Sequence, residues 1–182
     1  MSKLFLSLFL IFNSVASVSF GQAEASEKTK VEARFLYLRK HASTPLDPLL
    51  LAKDGVKQTY ISTRSPREYT PLPSDGRIII GTAGPSEEEP IIPFASGKAP
   101  AGATKILVLL APAKEGKYSM IILDERKFKG GSVCFINQCG QSVGVILDKK
   151  KFVVKNKSTL LHQPARHAKA RNTHVSFHVS PP

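Results

Sequence analysis

The chain has 182 residues, 42% of them hydrophobic, and a formal net charge of +12 at pH 7. That hydrophobic content excludes a disordered chain, and the length is enough for a core that needs no disulfides. The positive balance points toward anionic partners such as lipid headgroups, acidic polysaccharides or nucleic acid, and 13 prolines with no tryptophan favour strands and turns.

The N-terminus has the order of a secretory signal. Lys3 is the only charge before Glu24, Leu4 to Phe12 reads LFLSLFLIF, and small residues lead to Gly21-Gln22-Ala23. Asn13, Ser14, Ser17 and Ser19 interrupt the apolar run well short of the ~20 residues of a membrane span. Cleavage after Ala23 is expected. No cysteine near that site offers a lipid anchor, and no second hydrophobic span follows. The mature chain is therefore expected to be exported, periplasmic or extracellular, without a transmembrane span. Residues 24–30 read as a linker and residues 31–182 as a single domain.

In chain order, Val31, Ala33, Phe35 and Tyr37 recur at period two, a strand signature. Leu49 to Lys53 and Val56 to Ser62 flank Asp54-Gly55, which predicts a hairpin with a type I′ turn. Thr63 to Pro73 is punctuated by prolines and reads as a loop. Arg77 to Thr82 (RIIIGT) is a short strand. Residues 84–104, rich in Pro, Gly and Ala, read as a long surface connection with at most a short strand at Ile91–Phe94. Ile106 to Leu110 is continuously apolar and predicts a central strand buried on both faces. Lys114-Glu115-Gly116 turns it into a strand at Tyr118–Leu123, and Thr173 to Val179 forms the last strand. No amphipathic helix longer than two turns is visible. The expected fold is all-β: an antiparallel sandwich or small barrel of immunoglobulin-like or cupredoxin-like architecture.

The two cysteines, Cys134 and Cys139, lie in GGSVCFINQCGQSVGVILDKKKFVV (Gly130–Val154). A turn at Asn137–Gly140 would pair Phe135 with Val143 and Val133 with Val145, putting four apolar side chains on one face. Cys134 would then sit opposite Gly144 and Cys139 at the tip, too far apart for a disulfide. The rival register pairs the cysteines directly but puts Ile136 in a two-residue turn and scatters the apolar face. Packing favours separate thiols, whereas an exported chain favours oxidation. C-x-x-C spacing is absent and no second pair completes a structural zinc site.

From Lys149 to Arg171 the chain carries eight basic residues and no acid: Lys149, Lys150, Lys151, Lys155, Lys157, Arg166, Lys169 and Arg171. They form a candidate anion-binding face in a basic C-terminal region, residues 149–182. The alternative is a solvated sheet edge whose lysines block edge-to-edge pairing. Specific nucleic-acid recognition would need aromatics among the charges, and only Phe152 is present. His162, His167, His174 and His178 invite a metal reading. On a strand, however, His174 and His178 stand about 13 Å apart, too far to share an ion. A blue-copper site would need a methionine near its His and Cys ligands, and none follows Cys139. No metal or other cofactor is expected. Neither a G-x-S-x-G elbow, H-E-x-x-H, a P-loop nor a dinucleotide fingerprint occurs. Glu87, Glu88 and Glu89 read as a solvated loop rather than carboxylates facing across a cleft. No catalytic residue is assigned.

The stretch KYSMIILDERKFKGGSVCFINQCGQSVGVILDKKKFVV, with Phe128-Lys129-Gly130-Gly131, then Val133-x-Phe135-x-Asn137, a turn and a Lys151-Phe152 strand, is similar to small exported bacterial all-β proteins of unknown function. ILVLLAP and RIIIGT fit the same layout. The resemblance implies no activity and no catalytic residues. It also implies further strands after Leu160-Leu161-His162-Gln163-Pro164, so a chain ending at Pro182 is expected to lack an edge. The expected function is a non-enzymatic binding or structural component of the cell envelope, touching an anionic polymer or another envelope protein. The alternatives are an enzyme acting on envelope polymers, or a histidine-based metal carrier.

Overall fold

The structure, a computed structural model, describes residues 30–163, apart from Leu46 and Arg67, and residues 174–179. Strands form where apolar residues alternate or run together. β1 (Glu32–Tyr37) buries Ala33, Phe35 and Tyr37 and turns Glu32, Arg34 and Leu36 outward, as its period demands. β2 (Leu49–Ala52) and β3 (Gly55–Gln58) form the expected hairpin, but not with a type I′ turn. Its tip is Lys53–Asp54, and Gly55 alone in the turn takes a left-handed φ, 111°. A left-handed glycine after the tip reverses the chain without forcing Lys53 into a strained backbone.

β4 (Thr70–Pro71) is short and ends the proline-punctuated loop. β5 (Arg77–Ala83) pairs along its whole length with β6 (Ile91–Lys98), so residues 84–104 hold an eight-residue strand where a surface connection was expected. The residues that disguise β6 suit its position. It is a sheet edge, where Pro93 is tolerated. Gly97 lies where a Cβ would come 2.9 Å from Met120 Sδ. β7 (Lys105–Pro112) is buried from Ile106 to Ala111 except at Leu107, close to the two-faced burial expected of it. A 3-10 turn at Lys114–Gly116, with φ of 57° at Glu115 and 71° at Gly116, leads into β8 (Tyr118–Asp124). The remaining strands are β9 (Val133–Ile136), β10 (Val143–Leu147), β11 (Lys150–Val154), β12 (Thr159–His162) and β13 (Val175–Val179). Among the described residues, helix is confined to two 3-10 turns of three residues each. The fold is all-β, and the sandwich does not close into a barrel.

Two four-stranded sheets, in the orders β4-β1-β7-β8 and β3-β2-β5-β6, share one core. Tyr37, Leu50, Ile78, Ile80, Ile106, Val108 and Leu110 are its largest fully enclosed members. Each such side chain contributes roughly 1.5–3 kcal/mol of burial. One pairing departs from the antiparallel expectation: β1 runs parallel to β7. A parallel pair needs a long crossover, and here the chain from β2 to β6 supplies it, with β2, β3, β5 and β6 building the opposite layer and β4 returning to pair with β1.

A second core gathers Phe135, Val143, Val145, Leu147 and Val154, with Phe152 and Leu160 against it. Its strands form a three-stranded sheet, β11-β10-β13, and a two-stranded one, β12-β9. The expected β9–β10 hairpin does not exist. β9 pairs with β12 instead, so Cys134 lies opposite Leu161, and Gly144 is flanked by Val153 and His178. The reason lies at Asn137. Its backbone N–H, which a hairpin would turn to Gln141, is donated to Ser158 O at 3.0 Å and extends the β9–β12 ladder. Its side-chain Nδ2 takes over Gln141 O at 2.7 Å and also reaches Val154 O at 2.8 Å, while Oδ1 accepts the Cys139 N–H. The turn survives as a corner between two sheets. Phe135, Val143 and Val145 still share a core, whereas Val133 is exposed.

Both cysteines are free thiols, Cys139 on the surface and Cys134 half-buried. Burial raises the Cys134 pKa, which keeps the thiol protonated and a poor nucleophile. Cys139→Ser should therefore leave the urea midpoint unchanged, and alkylation of the non-reduced protein should label both residues without a Cys134–Cys139 crosslinked peptide.

Candidate functional site

The basic segment takes its shape from the β10–β11 hairpin. Asp148 (φ 52°) and Lys149 form the tip, so Lys150 and Lys151 belong to β11. Lys155 and Lys157 lie in the next turn, where Ser158 closes back on Lys155 O and Lys157 takes a φ of 53°. β11 is an edge strand of its sheet. Lys150 shares the face of Leu147, and Lys151 points to the opposite face beside Ile146. All five lysines are exposed, and among the described residues none forms an ion pair. From Lys150 to Lys155 the charges span about 17 Å along one edge at the strand rise. Arg166, Lys169 and Arg171 lie outside the described residues, as does His167.

The other histidines do not assemble. His162 packs its ring against Phe152 at 5.3 Å, and His178 is exposed on β13 with its Nε2 3.4 Å from Ser176 Oγ. Among the described residues, no group of three or more His, Cys, Asp or Glu side chains is placed to hold a metal.

Two polar clusters escaped the sequence analysis. In the first, Arg34 on the outward face of β1 donates through Nε (2.9 Å) and Nη2 to Glu125 Oε1, and the Tyr69 hydroxyl donates to Oε2 at 2.6 Å. Arg34 and Lys105 both lie over the Tyr69 ring, at 5.2 and 4.9 Å. The hydrogen bond to Glu125 raises the pKa of both Arg34 and Tyr69, fixing each in its protonated form. Glu125, in the 3-10 turn Glu125–Lys127 that follows β8, is thus a strut between that turn, β1 and the segment before β4. Its partners stand 91 and 56 residues away in sequence, so no local spacing signals it.

The second cluster surrounds Tyr118. Its hydroxyl accepts the His41 backbone N–H at 2.8 Å and bonds the Thr44 hydroxyl, and its ring packs 5.1 Å from both Tyr37 and His41. Burial, followed by the neighbouring Tyr118, pushes the Tyr37 phenol well above its ordinary range. The Tyr37 hydroxyl and His41 Nε2 are buried with no partner among the described residues. Beside them Arg39, Lys40, His41, Ala42 and Pro112 line a cleft of about 300 Å³, at the small end of the range for ligand pockets. Tyr37, last of the period-two residues of β1, is followed closely by the Arg39-Lys40-His41 run, but nothing in the sequence brings Tyr118 to them.

Comparison with known proteins returns no matching family and no matching curated protein.

Proposed function

We propose that the chain is an exported, non-enzymatic β-sandwich of the cell envelope that contacts an anionic polymer along the β11 edge. The observation that carries this reading is the row of exposed lysines on β11 and its two flanking turns, none of them ion-paired among the described residues. Counter-charge on a polymer satisfies such a row without a pocket or a base-reading motif. Exposed contacts of this kind are screened by salt. Co-sedimentation with an anionic envelope polysaccharide should therefore be strong at low salt and fall steeply toward physiological salt. Binding indifferent to salt would exclude an electrostatic mechanism. Export rests on the order of charge, apolar run and small residues before Glu24. N-terminal sequencing of the protein recovered outside the cytoplasm should begin at Glu24, and a mature chain starting at Met1 would refute that part.

A second reading, an enzyme acting on envelope polymers, draws on the buried Tyr37 hydroxyl and His41 Nε2, without a partner among the described residues, beside the Arg39–Lys40 cleft. His41→Ala separates the two. An enzyme would lose turnover of the polymer with binding kept, whereas the edge reading expects polymer binding to be unchanged and no turnover to lose.

A further inference from the structure

The sheet β11-β10-β13 has two edges of opposite character. On β11, Lys150 and Lys151 are charged and exposed, the usual means by which a sheet refuses further strands. β13 reads Val175-Ser176-Phe177-His178-Val179, with no lysine, arginine or acid, and among the described residues nothing pairs with its outer side. Its core-side residues continue the face of Val143, Val145 and Leu147, since Val179, Phe177 and Val175 stand directly opposite them. Those three of β10 are buried, yet Val175, Phe177 and Val179 are 36%, 62% and 48% exposed. Phe177 meets Phe135 at 6.3 Å, edge to face, but β9 and β12 do not cover the rest of the strand.

We infer that β13 is the contact strand of a symmetric dimer, pairing antiparallel with β13 of a second copy about a two-fold axis at Phe177. The strand is built for such an axis. In antiparallel register centred on Phe177, valine 175 meets valine 179 of the other copy, Ser176 meets His178, and the two Phe177 rings adjoin. Directly opposed residues share a face, so all six apolar side chains stay on the core side. The product is one six-stranded sheet with no open apolar edge. Charge favours this arrangement over pairing through the other edge of the same sheet. The two lysine-bearing β11 strands end up five strand spacings apart, about 24 Å, well beyond the ~8 Å screening length of physiological salt. Pairing through β11 would set lysines against lysines.

The test uses the full exported chain. Sedimentation equilibrium should show a reversible dimer, and Phe177→Lys, which places a charge on the axis against its own copy, should abolish it. A register-specific crosslink keeps the test valid if that variant folds poorly. With Cys134 and Cys139 replaced by Ala, Phe177→Cys should oxidise to a disulfide-linked dimer, because antiparallel partners lie within disulfide reach. Val175→Cys alone should not, but should crosslink to Val179→Cys when the two variants are mixed. Three results overturn the inference: a monomer at all concentrations without the 177–177 crosslink, a dimer that crosslinks only elsewhere, or a monomer that uses Phe177 to bind phosphatidylglycerol vesicles.

Discussion

Asn137→Ala should destabilise the protein by roughly 3 kcal/mol, because it strands the buried Val154 carbonyl and removes two part-buried bonds at once. Asn137 is 4% exposed and stands where β9, the 137–141 turn and β11 converge. Alanine removes the donor to both Gln141 O and Val154 O and the acceptor for the Cys139 N–H. An unsatisfied buried carbonyl costs more than a typical hydrogen bond contributes, since the group still loses its water on folding. Asn137→Asp should be worse at neutral pH, as it turns a carboxylate oxygen toward two carbonyl oxygens. Urea unfolding measures both variants. Midpoints equal to wild type would mean that Asn137 does not hold the corner.

Gly81→Ala should cost about as much, on the order of 3 kcal/mol, through crowding rather than lost bonds. Gly81 follows the bulge in β5, where the register against β6 shifts. A Cβ there would come 2.0 Å from Ile92 O and 2.6 Å from Ile91 Cγ2. The first contact is backbone, so no rotamer change relieves it and β6 itself must move. Because Ala95 of β6 lies in the main core, that movement loosens the packing between the two sheets. A melting temperature lower by on the order of 10 °C is expected. An unchanged one would show that β6 yields freely.

These two positions also mark where the sequence stops being legible. β1, β5, β7 and β8 could be read directly because their apolar residues repeat at period two or run unbroken, as in Ala33-x-Phe35-x-Tyr37 and Ile106–Leu110. β6 could not, because its small residues answer to Met120 and Ile122 on the facing sheet and not to any pattern of its own. The β9–β10 hairpin expected within residues 130–154 does not form, because the better partner of β9 lies beyond that stretch. The true partner of β9 is the short Leu160-Leu161 run of β12, and a single asparagine side chain turns the hairpin into a corner. The lysines were visible as a run. That they decorate one edge strand follows only from the β10–β11 pairing, which puts Lys150 and Lys151 beyond the tip and on opposite faces. The Arg34–Glu125–Tyr69 strut was invisible, because burial and distance alone unite three residues scattered along the chain.

The central claim is that the β11 edge gathers anionic polymer through its lysines. The most direct measurement is the slope of log affinity for heparin against log salt concentration, in the wild type and in the variant Lys150→Gln, Lys151→Gln, Lys155→Gln, with circular dichroism showing that both are folded. Each lost contact should reduce the slope by about one. A slope shallower by roughly two to three in the variant, with weaker binding at low salt, is the predicted result. A slope and affinity identical to wild type would contradict it and remove the β11 edge as the binding surface.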